Sequence, residues 1–202
     1  VTSDHKTYVY VGLAGEGDYI GEGGIVRRAD GDEQWQDISK GLPDNAQVRA
    51  LAIRPDDPSV VFAGTDKGVF RSRDRGETWE ALNDAGPNHE VWSLVIHPEN
   101  PDVILAGYDP CSVSRSQDGG DTWTSIDSGA SGSITSLIAA GGRVLGVGLE
   151  GFVISGTGGD ERFTAKQRMD RAALTALIVP DTAKESASQP LLLSKGGVLK
   201  AE

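Results

Sequence analysis

Ser72-Arg-Asp-Arg-Gly-Glu-Thr-Trp79 returns 44 residues later as Ser116-Gln-Asp-Gly-Gly-Asp-Thr-Trp123. The stretch ahead of it returns as well. Residues 48–64 align with residues 91–107 at an offset of 43, so Val48, Leu51, Ile53, Pro55, Pro58 and Gly64 meet Val91, Leu94, Ile96, Pro98, Pro101 and Gly107. A repeat of this length constrains the fold more than composition can, because each unit must adopt one shape and bury its apolar face on its neighbour. Weaker copies flank these two. Trp35 of residues 30–35 stands 44 residues before Trp79, and Phe163 of residues 158–163 stands 40 after Trp123. Residues 134–138 and 174–178 copy the first apolar segment, 144–148 and 191–194 the second, and 197–200 copy 68–71.

Each unit carries four strand signals: residues 48–53, 60–64 and 68–72, and a fourth opening at Thr78-Trp79. Pro55 and Pro58 lack a ladder donor and mark a turn. Four short strands in about 40–45 residues make one blade of a β-propeller, whose sheets stack face to face. The spacing therefore predicts an all-β chain, a β-propeller of about five four-stranded blades in a single domain. Its units fall at residues 7–42, 48–83, 91–127, 134–166 and 174–202. The first and last blades are incomplete, entering at a second strand and stopping at a third. Such a chain closes a small ring, forms part of a larger one, or is completed by a second chain. Open end blades offer a route to homo-oligomers. Residues 165–177 have the composition nearest to a helix, and the repeat register makes their second half a strand.

Composition narrows the function. Glycine fills 27 of 202 positions, as many short strands joined by turns require. A net charge of −11 leaves no basic stripe, so nucleic acid is not the expected partner. The acidic surface repels anionic lipid. No apolar run reaches the roughly 20 residues of a membrane helix, and no signal-type apolar segment stands near Val1. The reading is of a soluble protein, cytoplasmic or exported after processing. Cys111 is the single cysteine, so no disulfide forms within the chain, and His5, His89 and His97 are the only histidines. No metal or cofactor is expected.

Ser-x-Asp-x-Gly-x-Thr-Trp is the Asp box, or BNR repeat. It stands intact at Ser72, Asp74, Gly76, Thr78 and Trp79 and at Ser116, Asp118, Gly120, Thr122 and Trp123. The chain thus resembles the Asp-box β-propellers: sialidases, xyloglucan-cleaving glycoside hydrolases, sortilin-type receptor domains and photosystem II assembly factors. The Ile-x-Pro-x-x-Pro lead-in is most similar to the xyloglucanase and sortilin branch. In such a box every residue type has a structural task. The Asp accepts turn N–H groups, the Gly supplies positive φ, and the Trp packs on the blade. The resemblance implies that ligands meet the opposite rim, formed by turns between second and third strands and by loops between blades.

On that rim the candidate catalytic acids are Asp18 and Glu22, in the long turn of residues 14–24, and Asp66, Asp109 and Glu150, in comparable turns of three successive blades. Paired carboxylates are what glycosidases use. Candidate ligand contacts are Tyr19, Arg49, His89, Trp92 and Tyr108; Arg49 and Trp92 hold the same place in neighbouring first strands, where an indole either stacks on a sugar or packs within the blade. The sialidase Arg-Ile-Pro motif is missing, since Ile53-Arg54-Pro55 has the wrong order. The leading expectation is a binding or scaffold module that presents a glycan- or protein-binding surface at the pore mouth. The alternatives are a glycoside-hydrolase-like enzyme with a carboxylate pair there, and a partial propeller that needs a second chain.

Overall fold

The computed structural model describes residues 6–15, 23–83, 90–110, 112–179 and 190–200. They form five antiparallel sheets, in each of which the strands lie in chain order. Blade 1 holds β1 (Tyr8–Leu13), β2 (Gly24–Ala29) and β3 (Gln36–Asp37). Blade 2 holds β4 (Val48–Ile53), β5 (Val61–Thr65), β6 (Gly68–Ser72) and β7 (Glu80–Ala81). Blade 3 holds β8 (Glu90–Ile96), β9 (Ile104–Asp109), β10 (Ser112–Ser116) and β11 (Thr124–Ile126). Blade 4 holds β12 (Ile134–Ala140), β13 (Arg143–Gly148), β14 (Phe152–Gly156) and β15 (Thr164–Gln167). Blade 5 holds β16 (Leu174–Ile178), β17 (Leu191–Ser194) and β18 (Gly197–Lys200). The all-β, blade-by-blade architecture read from the repeat is the observed one, with three-stranded first and last blades. The fourth strand starts later than expected, at Glu80, because Thr78 and Trp79 are still held in the box turn. Residues 164–178 contain two strands and no helix.

Local chemistry explains the connections. In blade 2, Thr65 pairs with Gly68 across a two-residue turn, and Thr65 Oγ1 accepts the Lys67 N–H at 2.9 Å. The Pro55 to Pro58 turn is closed by the Arg54 N–H donating to the Val60 carbonyl at 2.9 Å. The glycine that ends each second-strand repeat has a packing reason. A Cβ on Gly64 would stand 2.5 Å from Val91 Cγ1, and one on Gly107 2.8 Å from Ile134 Cγ2. Only glycine lets the next blade's first strand come that close.

The apolar core is divided among the joints between blades. Ile25 and Ile38 of blade 1 pack on Val48, Val61, Ala63, Phe70 and Trp79 of blade 2. Val60, Phe62 and Val69 then face Val91, Ile104, Ala106 and Tyr108 of blade 3. Leu105, Val113 and Ile126 meet Ile134, Val144, Ile154 and Phe163 of blade 4. Val147 meets Leu174, Leu177 and Leu192 of blade 5. Successive residues of one strand thus serve two joints, one on each face of the sheet, as Val61 and Ala63 face blade 1 while Val60 and Phe62 face blade 3.

One irregularity recurs. The first-to-second strand ladder skips a residue between Val48 and Ala50, Val91 and Ser93, Ile134 and Ser136, and Leu174 and Ala176. The skipped residues are Arg49, Trp92, Thr135 and Thr175. A bulge bends the strand and re-aims its extra side chain, so four innermost strands carry a re-aimed residue at the same level.

Candidate functional site

The two intact boxes have one hydrogen-bond pattern. Ser72 Oγ donates to Asp74 at 2.7 Å and accepts the Gly76 N–H at 2.7 Å. Asp74 accepts the Thr78 N–H at 2.9 Å and its hydroxyl at 2.6 Å. In the second box Ser116 donates to Asp118 at 2.8 Å, and Asp118 accepts the Thr122 N–H at 2.8 Å and its hydroxyl at 2.5 Å. Gly76 and Gly120 have φ of 93° and 96°, so the turn needs glycine. The tryptophans differ. Trp79 Nε1–H crosses the joint to the Ile38 carbonyl at 2.7 Å, whereas Trp123 Nε1–H returns to Gly120 in its own turn at 3.0 Å.

Hydrogen bonds from Thr122, then from Ser116, hold the Asp118 carboxyl down to about 2 from an ordinary 3.8. Asp74 is also lowered, its bonds from Thr78 and Ser72 outweighing its burial. Their folded pKa values lie below the unfolded ones, so their stabilisation is complete above the ordinary value. It is lost as pH falls towards the folded one. Melting temperature is therefore expected to fall as pH drops from about 4 to about 2, and Asp118→Asn should flatten that slope. Thermal melts by circular dichroism across that range check it; an unchanged slope in the variant would show the box to be slack.

A second repeated contact joins the blades. Arg27, Arg71 and Arg115 hold one position in successive third strands, and each is buried. Arg27 donates to the Arg75 carbonyl at 2.7 Å and to Glu77 at 2.5 Å, both in the next blade's box turn. Arg71 donates to the Gly119 carbonyl at 3.0 Å and Asp121 at 2.7 Å, and Arg115 to the Gly158 and Asp160 carbonyls at 3.2 and 2.7 Å. Burial opposes the charge on Arg71, but bonds to Asp121 and Glu80 outweigh it and its pKa is raised. The candidates read from the sequence do not include these arginines; their recurrence every 44 residues was the available signal.

On the rim of the second-to-third-strand turns, the bulges bring two sequence candidates together. The Arg49 guanidinium lies over the Trp92 ring at 5.6 Å. Glu90 accepts the Trp92 Nε1–H at 3.1 Å and stands 3.1 Å from Arg49 Nη1. That ion pair is not aligned as a hydrogen bond, and Nη1 has no acceptor among the described residues. Nη1 is itself buried, and the side chain around it keeps 23% exposure beside the indole. The next two bulge residues are tied to backbone: Thr135 Oγ1 donates to the Leu174 carbonyl at 2.7 Å and Thr175 Oγ1 to the Leu193 carbonyl at 3.4 Å.

The candidate acids are placed differently. Asp66 accepts the Gln47 N–H at 2.8 Å and pairs with Lys67 at 3.0 Å. Asp109 is hydrogen-bonded to the Ser133 hydroxyl. Both carboxylates tether the loop that leads into a first strand. Glu150 is exposed and adopts φ 60° in a single 3-10 turn, Leu149–Gly151, that links β13 to β14. Tyr108 is corrected by the structure. It is fully buried in the joint between blades 2 and 3, with its hydroxyl 2.6 Å from Ser114 Oγ, and presents no exposed face. Asp18, Tyr19, Glu22, His89 and Cys111 lie outside the described residues. His97 Nδ1 accepts the Glu99 and Asn100 N–H groups at 3.3 and 3.2 Å, a turn-holding part.

On the box-bearing rim, a hollow of about 310 Å³ opens between blades 1 and 2, lined by Tyr8, Tyr10, Ile53, Arg54, Pro55 and Pro58 among others. No helix among the described residues is long and apolar enough to cross a membrane.

Solved structures share this arrangement. A GH74 enzyme from Niastella koreensis superposes with a TM-score of 0.65 at 16% identity, over 99% of this chain and 36% of its own. An ancestral GH74 enzyme gives 0.64 at 18% identity, over 94% of this chain and 31% of its own. YCF48 bound to a D1 peptide gives 0.61 at 12% identity, over 100% of this chain and 71% of its own. The chain thus spans about a third of the length of the GH74 enzymes. At these identities the likeness is one of fold. No curated protein sequence matches the chain. The model of the Sortilin-Vps10 family, described as sortilin, neurotensin receptor 3, matches residues 23–138. That match covers more than half of the chain and both intact boxes, and the chain belongs to the Sortilin-Vps10 family of Asp-box β-propellers.

Proposed function

We propose that this propeller is a binding scaffold that holds an extended segment of another protein at its mouth, on the Arg49–Trp92–Glu90 platform. The observation that carries the reading is the pair of adjacent bulges that turns Arg49 and Trp92 towards each other. Trp92 offers an apolar plane, and the partly exposed Arg49 guanidinium beside it offers positive charge to a peptide carbonyl or carboxylate. The acids expected to act as a glycosidase pair favour binding over catalysis here. Asp66 and Asp109 are engaged in holding loops. YCF48 with its D1 peptide supplies a propeller of this fold with a bound peptide.

The test is an array of overlapping peptides beside a glycan array, followed by titration of whatever binds. Peptide binding that Trp92→Ala or Arg49→Ala weakens by about tenfold or more is the expected result, as for a platform residue worth about 1.4 kcal/mol or above. Glycan binding with no peptide binding, or peptide binding indifferent to both variants, would overturn it.

A further inference from the structure

The residue that enters the first strand has a structural task in blades 2 and 4. Gln47 and Ser133 stand immediately before Val48 and Ile134, and both are buried. The Gln47 amide is engaged at both ends: its Oε1 accepts the Gly15 N–H at 2.5 Å, and its Nε2 donates to the Asn45 carbonyl at 2.9 Å. The Ser133 hydroxyl donates to Asp109. Blade 3 departs from this use. Its entering residue is Glu90, ahead of Val91, with a side chain 40% exposed. Its contacts to Trp92 and Arg49 both fall on Oε2, and Oε1 accepts no hydrogen bond among the described residues.

The charge around Glu90 is unbalanced. Register sets Asp109 of β9 directly opposite Glu90 of β8. Asp66 holds the place of Asp109 in the preceding unit, and Lys67 pairs with it at 3.0 Å. In blade 3 the residue after the aspartate is Pro110, which carries no charge, and Asp109 makes no ion pair among the described residues. Two carboxylates, Glu90 and Asp109, thus stand with one cation, Arg49, and this corner keeps a net charge of −1 where Asp66 and Lys67 cancel. An anionic side chain brought here meets like charge; a cationic one meets an unengaged acceptor.

Resting on the peptide-platform reading, we infer that the segment held there is basic: a lysine or arginine side chain of the partner donates to Glu90 Oε1 and lays its aliphatic stem along the Trp92 indole. Long cationic side chains bury their stems on apolar surface while the charged head keeps a polar contact. A bond to a carboxylate gives that head a strong, charge-assisted acceptor. Arg49 is left to the partner's backbone carbonyls. The net charge of −11 works in the same direction at long range, speeding the arrival of a basic segment.

Peptide libraries of equal length test this by fluorescence anisotropy. Their central position is fixed as Lys, Arg, Leu or Glu, and the other positions vary over uncharged residues. The wild type is expected to bind the Lys and Arg libraries about fivefold or more tighter than the Leu library, and the Glu library weakest. Glu90→Gln keeps an oxygen for the Trp92 Nε1–H and removes the charge. It should bring the Lys and Arg libraries to the Leu level and leave the Leu library unchanged. Glu150→Gln removes a carboxylate from another turn of the same rim and should keep the preference. Circular dichroism checks that both variants are folded. A Glu library that binds best, a Lys preference that survives Glu90→Gln, or one that Glu150→Gln removes equally would overturn the basic assignment and leave the platform standing. Binding of no library at all would overturn the assignment and the platform together.

Discussion

Replacing Phe62 with alanine is expected to lower the free energy of unfolding by about 3–5 kcal/mol, the range for a large aromatic removed from a packed interior. Phe62 is fully buried between blades 2 and 3, and its ring edge stands 3.0 Å from where a Cβ on Gly120 would lie. Little nearby can move in to fill the gap, because the facing box turn is fixed by its own hydrogen bonds. Urea unfolding followed by tryptophan emission measures the loss; Trp123 borders the same cluster. Leu191→Ala is the internal control. Leu191 holds the same register position in blade 5, on a face that no blade packs against among the described residues. At dilute protein its cost should stay below about 1 kcal/mol, as for a substitution outside a packed joint. Equal losses at the two positions would mean that the blade 5 face is covered within a single chain.

Arg71→Ala is expected to cost about 3 kcal/mol, because it removes hydrogen bonds to charged and carbonyl acceptors from one buried group. The side chain is 8% exposed and joins Glu80 of its own blade to Asp121 and the Gly119 carbonyl of the next. Arg73 is the contrasting case. It approaches the same two carboxylates, at 3.4 and 3.7 Å, but is 59% exposed. Its removal should cost about 0–1 kcal/mol and lose that effect in salt, as exposed pairs do. Paired denaturation curves at low and high salt separate the two. A salt-sensitive Arg71 effect of Arg73 size would mean that solvent already reaches the joint.

The blade boundaries were legible because each turn demands particular chemistry. Prolines at 55 and 58, glycine at 68 and the box residues at 72–79 leave few alternative conformations, and they recur in the second unit. The Arg49 and Trp92 correspondence was legible for the same reason. The bulge that re-aims them was not, since Val48-Arg-Ala-Leu reads equally well as an unbroken alternation. Tyr108 was misjudged because a tyrosine beside a turn looks like a surface aromatic. It is in β9, and the pleat sends its ring into the joint. Asp66 and Asp109 were recognisable as turn acids, but their partners Gln47 and Ser133 lie in other segments, beyond what spacing can pair. The inter-blade arginines looked like ordinary charged strand residues, because a cation's burial depends on the neighbouring unit.

The arginine joint also bears on how such a chain can grow. Blades 1 to 3 each carry a cation for the unit that follows, and blades 2 to 4 each carry an acceptor turn for the unit before. A tandem duplication therefore inherits both halves of a new contact in the right order, with no compensating substitution required. Drift is restrained in the same way, since a change in the cation affects a turn encoded 43 to 50 residues downstream. Ser155 of blade 4 departs from the pattern: it pairs with Leu145 as Arg71 pairs with Phe62, so the third strand of that blade carries a hydroxyl where the three before it carry a cation.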